Sequence, residues 1–330
     1  MPVILLATHN GQAFLEPLLE SIRSQSLRSW TLIAGDDASD DSTASILQRW
    51  SERDARIRIL PRMDQRLGVV ANFGRLLECA QAEGHREIAL ADQDDVWHRD
   101  KLQQQVSRLR SEQQGLAPHT PVLVHTDLSV VDKQLHVIHP SLRRYAALEP
   151  HRHCALKSLL MHNCVTGCST LFNQSLLDLA LPLPATAVMH DWWLALCAAS
   201  SGRITYIASP TVLYRQHAHN KLGARGAVVR SACKRVLGGR RCWRHDLAQF
   251  TRTLEQARAL RDRIRVSTVQ VAPQSADLLE RYCRVFEEHR SPLNRLGALM
   301  RMGLPDVHPL RRALSYCRVL LLNHHAGSLT

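Results

Sequence analysis

The sequence contains no run approaching the ~18–20 consecutive apolar residues that span a bilayer, so a transmembrane anchor is not expected. It opens on Val3–Ala7, a strand-like stretch with no charged leader before it. A secretory signal is therefore not expected, and the expected location is cytoplasmic. The nine cysteines are scattered without a CxxC pair, Cys164 and Cys168 being the closest. An odd number without a framework reads as reduced thiols, mostly small core residues. No GxGxxG turn and no GxxxxGK[ST] loop occurs, which argues against Rossmann dehydrogenases and P-loop kinases. Aromatic residues make up only 5% of the chain. That is poor in the stacking platforms a single-strand nucleic-acid binder needs.

What is present describes a folded protein with ample core: 330 residues, 45% apolar and 22% charged. The length fits one large domain or two ordinary ones. The net charge of +12 is unevenly placed. Residues 1–219 hold 21 Lys/Arg against 22 Asp/Glu, whereas residues 220–330 hold 21 against 8. The basic last third reads either as a solvated helical surface or as a contact for an anionic lipid, nucleic acid or acidic partner.

Over the first 215 residues, strand and helix patterns alternate. Strands are expected at Val3–Ala7, Trp30–Ala34, Ile57–Leu60 and Glu87–Ala91. Helices are expected over Ala13–Leu27, from a Ser42 cap to about Arg53, over Val69–Ala82 and over Arg99–Arg110. This βαβ order implies an α/β fold with a mainly parallel sheet and helices on both faces. Beyond Pro121, short strands are expected at Val122–His125, Leu128–Val131, Ser169–Phe172, Ile204–Ile207 and Val212–Arg215, with an apolar helix at His190–Ser200. The last third reads as arginine-studded amphipathic helices. The expected division is 1–222 for a catalytic domain and 223–330 for a helical basic extension.

Ligands on such sheets sit at the carboxyl ends of the strands, and the polar clusters fall there. Thr8–Gly11 (THNG) follows the first strand as a tight turn with free N–H groups. Gly35–Thr43 (GDDASDDST) follows the second; it reads as a capped turn or as a loop whose carboxylate accepts an N–H from a base. Asp92, Asp94 and Asp95 crowd the end of the fourth. Hard oxygen ligands at this spacing suit Mg²⁺ or Mn²⁺, which would offset their repulsion and neutralise a diphosphate. Asp95 alternatively caps the next helix, and Trp97 alternatively anchors the core. Met189–Trp193 places Asp191 among apolar residues, where a raised pKa suits a general base; an acid in a first helical turn also simply complements the dipole. At Tyr214–His217, Arg215 can clamp phosphate and His217 can complete a metal shell.

In this order the motifs resemble the family 2 glycosyltransferases of the GT-A fold: THNG, DDASDDS, LGVVANF, ADQDD, an acidic–aromatic helix start, then YRQH. The match covers about residues 1–219. VHTDLSVVD, NCVTGCSTLF and MHDWWLAL are similar to bacterial rhamnosyltransferase-type members that build surface polysaccharide. The resemblance implies that Thr8 and Asp37 hold the nucleoside with Asp36 and Asn10 nearby. It sets Asp92 against the ribose, Asp94 on the metal, Asp191 as the base and His217 as a further metal or phosphate contact. Gly167, within Asn163–Ser169, would shape the sugar and acceptor pocket. Where many members carry an arginine in an AARN-like stretch, this chain reads VVANFGR, leaving Asn72, Arg75 or Arg66 for that contact. The base motif is HDWW instead of the commoner ED type.

The implied reaction is inverting transfer of a sugar, L-rhamnose from dTDP-L-rhamnose, to a hydroxyl of a lipid-linked or growing glycan. The cofactor would be Mg²⁺ or Mn²⁺. The basic region would give peripheral contact with an anionic inner membrane, worth ~1 kcal/mol per basic residue near the surface. Two other readings compete. A sugar-nucleotidyltransferase would need a glycine-rich, Arg/Lys-containing first loop, which THNGQ lacks. A nucleic-acid-binding module would rest on the basic third alone, and no nucleic-acid partner is expected.

Overall fold

The computed structural model describes residues 1–148, 155–217, 239–288, 290–303 and 309–322. The expected boundary at 222/223 lies outside them. The first half runs β1 (Val3–Thr8), α1 (Leu15–Arg23), β2 (Thr31–Asp36), α2 (Thr43–Arg53), β3 (Ile57–Ile59), α3 (Val69–Ala82), β4 (Glu87–Asp92), β5 (Val96–Trp97) and α4 (Lys101–Gln114). It continues with β6 (Val122–Val131), β7 (Val137–His139), α5 (Leu142–Tyr145), α6 (Leu156–Leu159), β8 (Thr170–Asn173), α7 (Gln174–Ala180), α8 (His190–Ser201) and β9 (Arg203–Arg215). The last third holds α9 (Gly239–Val266), α10 (Pro273–Glu287), α11 (Pro292–Arg301) and α12 (Pro309–Leu321).

The strands form one sheet in the order β3-β2-β1-β4-β8-β6-β9-β5, with β7 on β6. β1, β2, β3 and β4 are parallel, as are β6 and β9; β8, β7 and β5 run antiparallel to their neighbours. β1 reads VILLAT because both its faces are covered, leaving no solvent side for polar alternation. The register matters for function. Thr8 pairs with Asp36 and Ala7 with Asp92, so the polar clusters that follow three separate strands meet along one edge.

The faces differ in what covers them. α1, α2 and α4 bury Leu15, Leu18, Ile22, Leu47 and Leu102 on one side. In α1 the apolar residues recur at helical spacing, so a single stripe meets the sheet. The other side carries α3, α7, α8 and the C-terminal helices. Phe250, Leu254, Ala257, Leu260 and Ile264 line one stripe of α9, facing Tyr282 and Phe286 of α10, within the same core as Val3 and Leu5. Arg263 donates to the carbonyls of Leu179, Leu181 and Pro182 at the end of α7. The Val188 N–H donates to Gln256 Oε1 of α9 at 2.8 Å, just before α8.

Several expectations change. Val122–His125 and Leu128–Val131 are one ten-residue strand. Thr126 and Asp127 broke the apolar pattern but are paired internally: Thr126 with Thr211, Asp127 with the Ser141 hydroxyl at 2.5 Å. Likewise β9 spans both expected C-terminal strands, with a register shift near Pro210. Ser42 occupies the cap position of α2 without a side-chain bond; Asp41 instead accepts from Thr43 N at 2.9 Å. Asp95 does not cap α4, whose cap residue is Asp100.

Because α9 and α10 share the sheet's core, the described chain should melt as one unit. Leu260→Ala, at a fully buried site, should cost about 2–5 kcal/mol and lower a single calorimetric transition. Two separated transitions, only one of them moved, would show that the C-terminal helices fold apart.

Candidate active site

A cavity of about 1050 Å³ opens at the carboxyl ends of β1, β2 and β4. Thr8, Asn10, Asp37, Arg66, Asn72, Asp92, Asp94, Gly167, Asp191 and His217 all line it. Asp36 and Arg215 do not. A shallower depression of about 760 Å³, lined by Arg23, Arg28, Arg53, Arg56 and Arg99, lies apart from it. Arg23 and Arg53 sit in the last turns of α1 and α2, where a cation offsets the helix dipole, so this depression has a structural explanation.

The nucleotide side is built by loops that lock one another. Asp36 is buried and accepts from Thr8 Oγ1 at 2.9 Å and Ser39 Oγ at 2.6 Å, which spends it on loop geometry. Asp37 accepts from the N–H groups of Leu67 and Gly68 at 2.6 and 2.8 Å, drawing the loop before α3 to the cavity. Asn10 and Ala38 both adopt positive φ, 49° and 55°. Asn tolerates that region well and alanine poorly, so Ala38 is strained where the loop turns over the cavity. Asn72 donates to Gly35 O at 2.7 Å. A side chain at Gly35 would come within 2.8 Å of Asn72 Oδ1, so only glycine admits this crossing. Gln93, unremarked in the sequence, clamps His9 through both its amide atoms at 2.8 Å.

The floor is acidic. Asp94 Oδ2 and His217 Nε2 lie 2.8 Å apart, and the His217 ring stacks on Phe14. Asp92 is pushed up to about 7, first by burial, then by Asp94 and Asp191. Asp95 is fully buried and raised well above the usual carboxylate range by burial, then by its acidic neighbours. One oxygen of Asp95 accepts from Arg215 N at 3.1 Å; the other accepts from no nitrogen or oxygen donor. Ligand atoms of Asp92, Asp95 and Cys168 fall within 4.8 Å of one another. Beneath them, Lys101 is buried over the Trp97 ring and bonded to Gln105 Oε1 at 2.6 Å; burial lowers its pKa to about 7. Asp94 with His217, beside the crowded carboxylates, fits a divalent cation, because hard oxygens with one imidazole are an ordinary donor set for such ions. Arg215 braces this floor instead of facing the cavity. It donates to the carbonyls of Asp94 and Lys133 and lies over Phe14.

Asp191 lies in the first turn of α8, near enough to Asp92 to raise its proton affinity. It accepts from Gly167 N at 3.0 Å, Asn163 Nδ2 at 3.1 Å and Trp192 N at 2.6 Å. Burial raises it to about 6 against the pull of those bonds. His190 stacks on Phe73 with both ring nitrogens unpartnered, and burial holds it neutral by lowering its pKa to about 3. A side chain at Gly167 would stand 3.0 Å from His190 Nε2 and 3.7 Å from Asp191 Oδ2, so glycine keeps the space beside the carboxylate open. Sequence reasoning missed Asp246, Phe250 and Arg318, which line the far side of the cavity. No local pattern in α9 or α12 distinguishes them from ordinary amphipathic residues.

A family profile described as Glycosyl transferase family 2 matches residues 3–173. With the sheet order and the strand-end site, this shows that the chain belongs to glycosyl transferase family 2 and is a glycosyltransferase. Among curated proteins, it is similar to the dTDP-rhamnosyl transferase RfbG of Shigella flexneri, 25% identical over 228 residues, covering 66% of this chain and 74% of that one. Among solved structures, it shares the fold of S. aureus TarS 1–349 in complex with UDP-GlcNAc (TM-score 0.56, 12% identity, 92% of this chain and 81% of that one). It also shares the fold of the mannosyltransferase PcManGT from Pyrobaculum calidifontis in complex with GDP-Man and Mn²⁺ (TM-score 0.50, 18% identity, 97% and 79%).

The raised Asp92 and Asp191 give a stability test. Between their unfolded values and about 7 and 6, the folded chain binds more protons than the unfolded one. The stability these carboxylates contribute without metal should therefore fall as pH rises through that window, offset in part by Lys101 and His190, whose lowered pKa values act the other way. Melting followed without metal should give a higher Tm at pH 5.5 than at 7.5, and Mn²⁺ should raise Tm more at 7.5. A pH-independent response to Mn²⁺ would separate the ion from these carboxylates.

Proposed function

We propose that this glycosyltransferase transfers a sugar with inversion from a nucleoside-diphosphate donor to a hydroxyl of a glycan acceptor, with Asp191 as the base. The observation that carries this reading is that one cavity is lined by two unlike carboxylate sites. One is a cluster at the strand ends suited to a cation and a diphosphate. The other is a single buried carboxylate, raised to about 6 and ionised at neutral pH.

Asp37, Asn10 and Thr8 bind the nucleoside at the ends of β1 and β2, and Asp92 lies beside the ribose. Arg66 and Asn72 flank the sugar-phosphate side. Asp36 holds Thr8 in place, and Arg215 acts on the diphosphate through the floor it braces. Asp94 and His217 would hold Mg²⁺ or Mn²⁺, which when bound neutralises charge on the departing diphosphate. Gly167 leaves room for the acceptor hydroxyl beside Asp191. Asp191 takes the hydroxyl proton as the oxygen attacks the anomeric carbon. The carbon–oxygen bond to the diphosphate breaks, and the nucleotide leaves with the electron pair. A single base suffices for such a displacement, unlike the two carboxyl groups of retaining hydrolases. The donor is dTDP-L-rhamnose, a choice supported by the similarity to RfbG and by the HDWW motif. The acceptor is a lipid-linked or growing surface glycan. No described helix is long and apolar enough to cross a membrane, so access to a lipid carrier rests on peripheral contact through the basic C-terminal region.

Calorimetric titration with dTDP-, UDP- and GDP-sugars plus Mn²⁺ should show one preferred nucleotide, dTDP, and loss of binding with chelator. No binding of any donor overturns the reading. Asp191→Asn should lower turnover by about 10²–10⁴-fold with donor affinity kept, and wild-type turnover should fall below about pH 6 as Asp191 protonates. Near-normal transfer by the asparagine variant removes Asp191 as base. The full chain should also co-sediment with anionic vesicles at low salt and release at high salt; indifference to vesicle charge rules out the peripheral contact.

A further inference from the structure

Lys101 takes no part in the reaction described above, yet it is fully buried in the first turn of α4. Both circumstances disfavour its charge. Burial strips water from an ammonium, and the N-terminal end of a helix repels cations. An apolar residue would fill the place at lower cost. What Lys101 reaches accounts for it. Its Nζ lies 4.0 Å from the Trp97 ring centroid and donates to Gln105 Oε1 at 2.6 Å. Gln105, one helical turn further on and also fully buried, donates through Nε2 to Ser169 O at 2.6 Å.

Ser169 ends a single 3₁₀ turn, Gly167–Ser169, that meets both carboxylate sites. Gly167 N donates to Asp191 Oδ2 at 3.0 Å. Asp92 and Asp95 share the Cys168 thiol. We propose that Lys101 and Gln105 are positioning residues for the transfer: the strut from Lys101 through Gln105 to Ser169 fixes the turn whose Gly167 N–H holds Asp191. The proposal rests on Asp191 serving as the base.

The strut works because its members have unlike hydrogen-bonding chemistry. An ammonium only donates, so Lys101 must meet the oxygen of the Gln105 amide. That leaves the amide nitrogen for Ser169 O, which only accepts. Without Lys101 nothing selects this orientation of the amide over its reverse. The brace matters because the donor it serves belongs to a glycine, the residue with the loosest backbone. Thr170 Oγ1 holds Gly167 O at 2.7 Å from one side, and Gln105 holds the far end of the turn. The other donors to Asp191 are secured elsewhere: Trp192 N within α8, and Asn163 by its bonds with Val165. Asp92 and the His190 ring are the titratable groups beside Asp191. The Gly167 bond is the one that answers to α4, and it favours the ionised carboxylate.

The test is an NMR titration of the full chain carrying carboxyl-labelled aspartate, without metal, with Asp191→Asn identifying the resonance. Wild-type Asp191 should titrate at about 6. Gln105→Leu and Lys101→Met remove polar groups at similar volume and should each raise that midpoint by about one pH unit, the scale of one weakened hydrogen bond to a charged group. Gln103→Ala, exposed on the same helix, should leave it in place. The acid limb of dTDP release from dTDP-L-rhamnose with Mn²⁺, water serving as acceptor, should move with the midpoint, and the KM for the donor should stay within twofold. A strut that merely packs would lower Tm and leave midpoint and limb unmoved, which overturns the proposal. A shift in Lys101→Met alone also overturns it, because Gln105→Leu keeps the charge and breaks only the strut. If both midpoints move while Asp191→Asn still transfers at a near-normal rate, it is the base reading that fails.

Discussion

Like-charge crowding at the open edge of the sheet is the constraint around which the rest of the molecule is arranged. Three strands deliver Thr8, Asp36 and Asp92 to adjoining register positions, and the chain then adds Asp94 and Asp95 within three residues. Each neighbour answers one part of that charge. Thr8 and Ser39 bond Asp36. Backbone N–H groups bond Asp37. Lys101 sits beneath Asp95. Asp92 and Asp95 share the Cys168 thiol, and the acidity that remains along this edge suits a cation.

Asp191, the proposed base, is handled differently. It lies near enough to Asp92 to raise its proton affinity, but its own hydrogen-bond partners are all neutral donors. Burial and hydrogen bonding pull its proton affinity in opposite directions, and burial prevails modestly. The same cavity therefore holds a crowded set of carboxylates and one with only neutral hydrogen-bond partners.

Much of this was legible in the sequence, for identifiable reasons. The strands with unbroken apolar runs, β1, β2 and β4, announced themselves, and so did the helices with one apolar stripe. Polar clusters at their ends then pointed to one edge. Legibility failed where tertiary partners override local pattern. Thr126 and Asp127 look like a break but are satisfied across the sheet and by Ser141. Arg215 reads as a phosphate ligand because nothing local reveals that the carbonyls of Asp94 and Lys133 lie within its reach. Asp95 reads as a cap because its burial is decided by β9, 120 residues away. The cavity-lining residues Phe250 and Arg318 were invisible for a related reason: their placement depends on which side of a helix meets a cavity made by distant segments.

The join between α9 and the turn before α8 bears on how this chain can be divided and recombined. Val188 hydrogen-bonds Gln256, and Arg263 holds the carbonyls that close α7. The C-terminal helices are thus part of the scaffold that aligns Asp191. Grafting them from a relative would therefore also disturb the seat of Asp191. Chimeras cut between residues 217 and 239 would change the cavity's far lining and the residues before α8 at once.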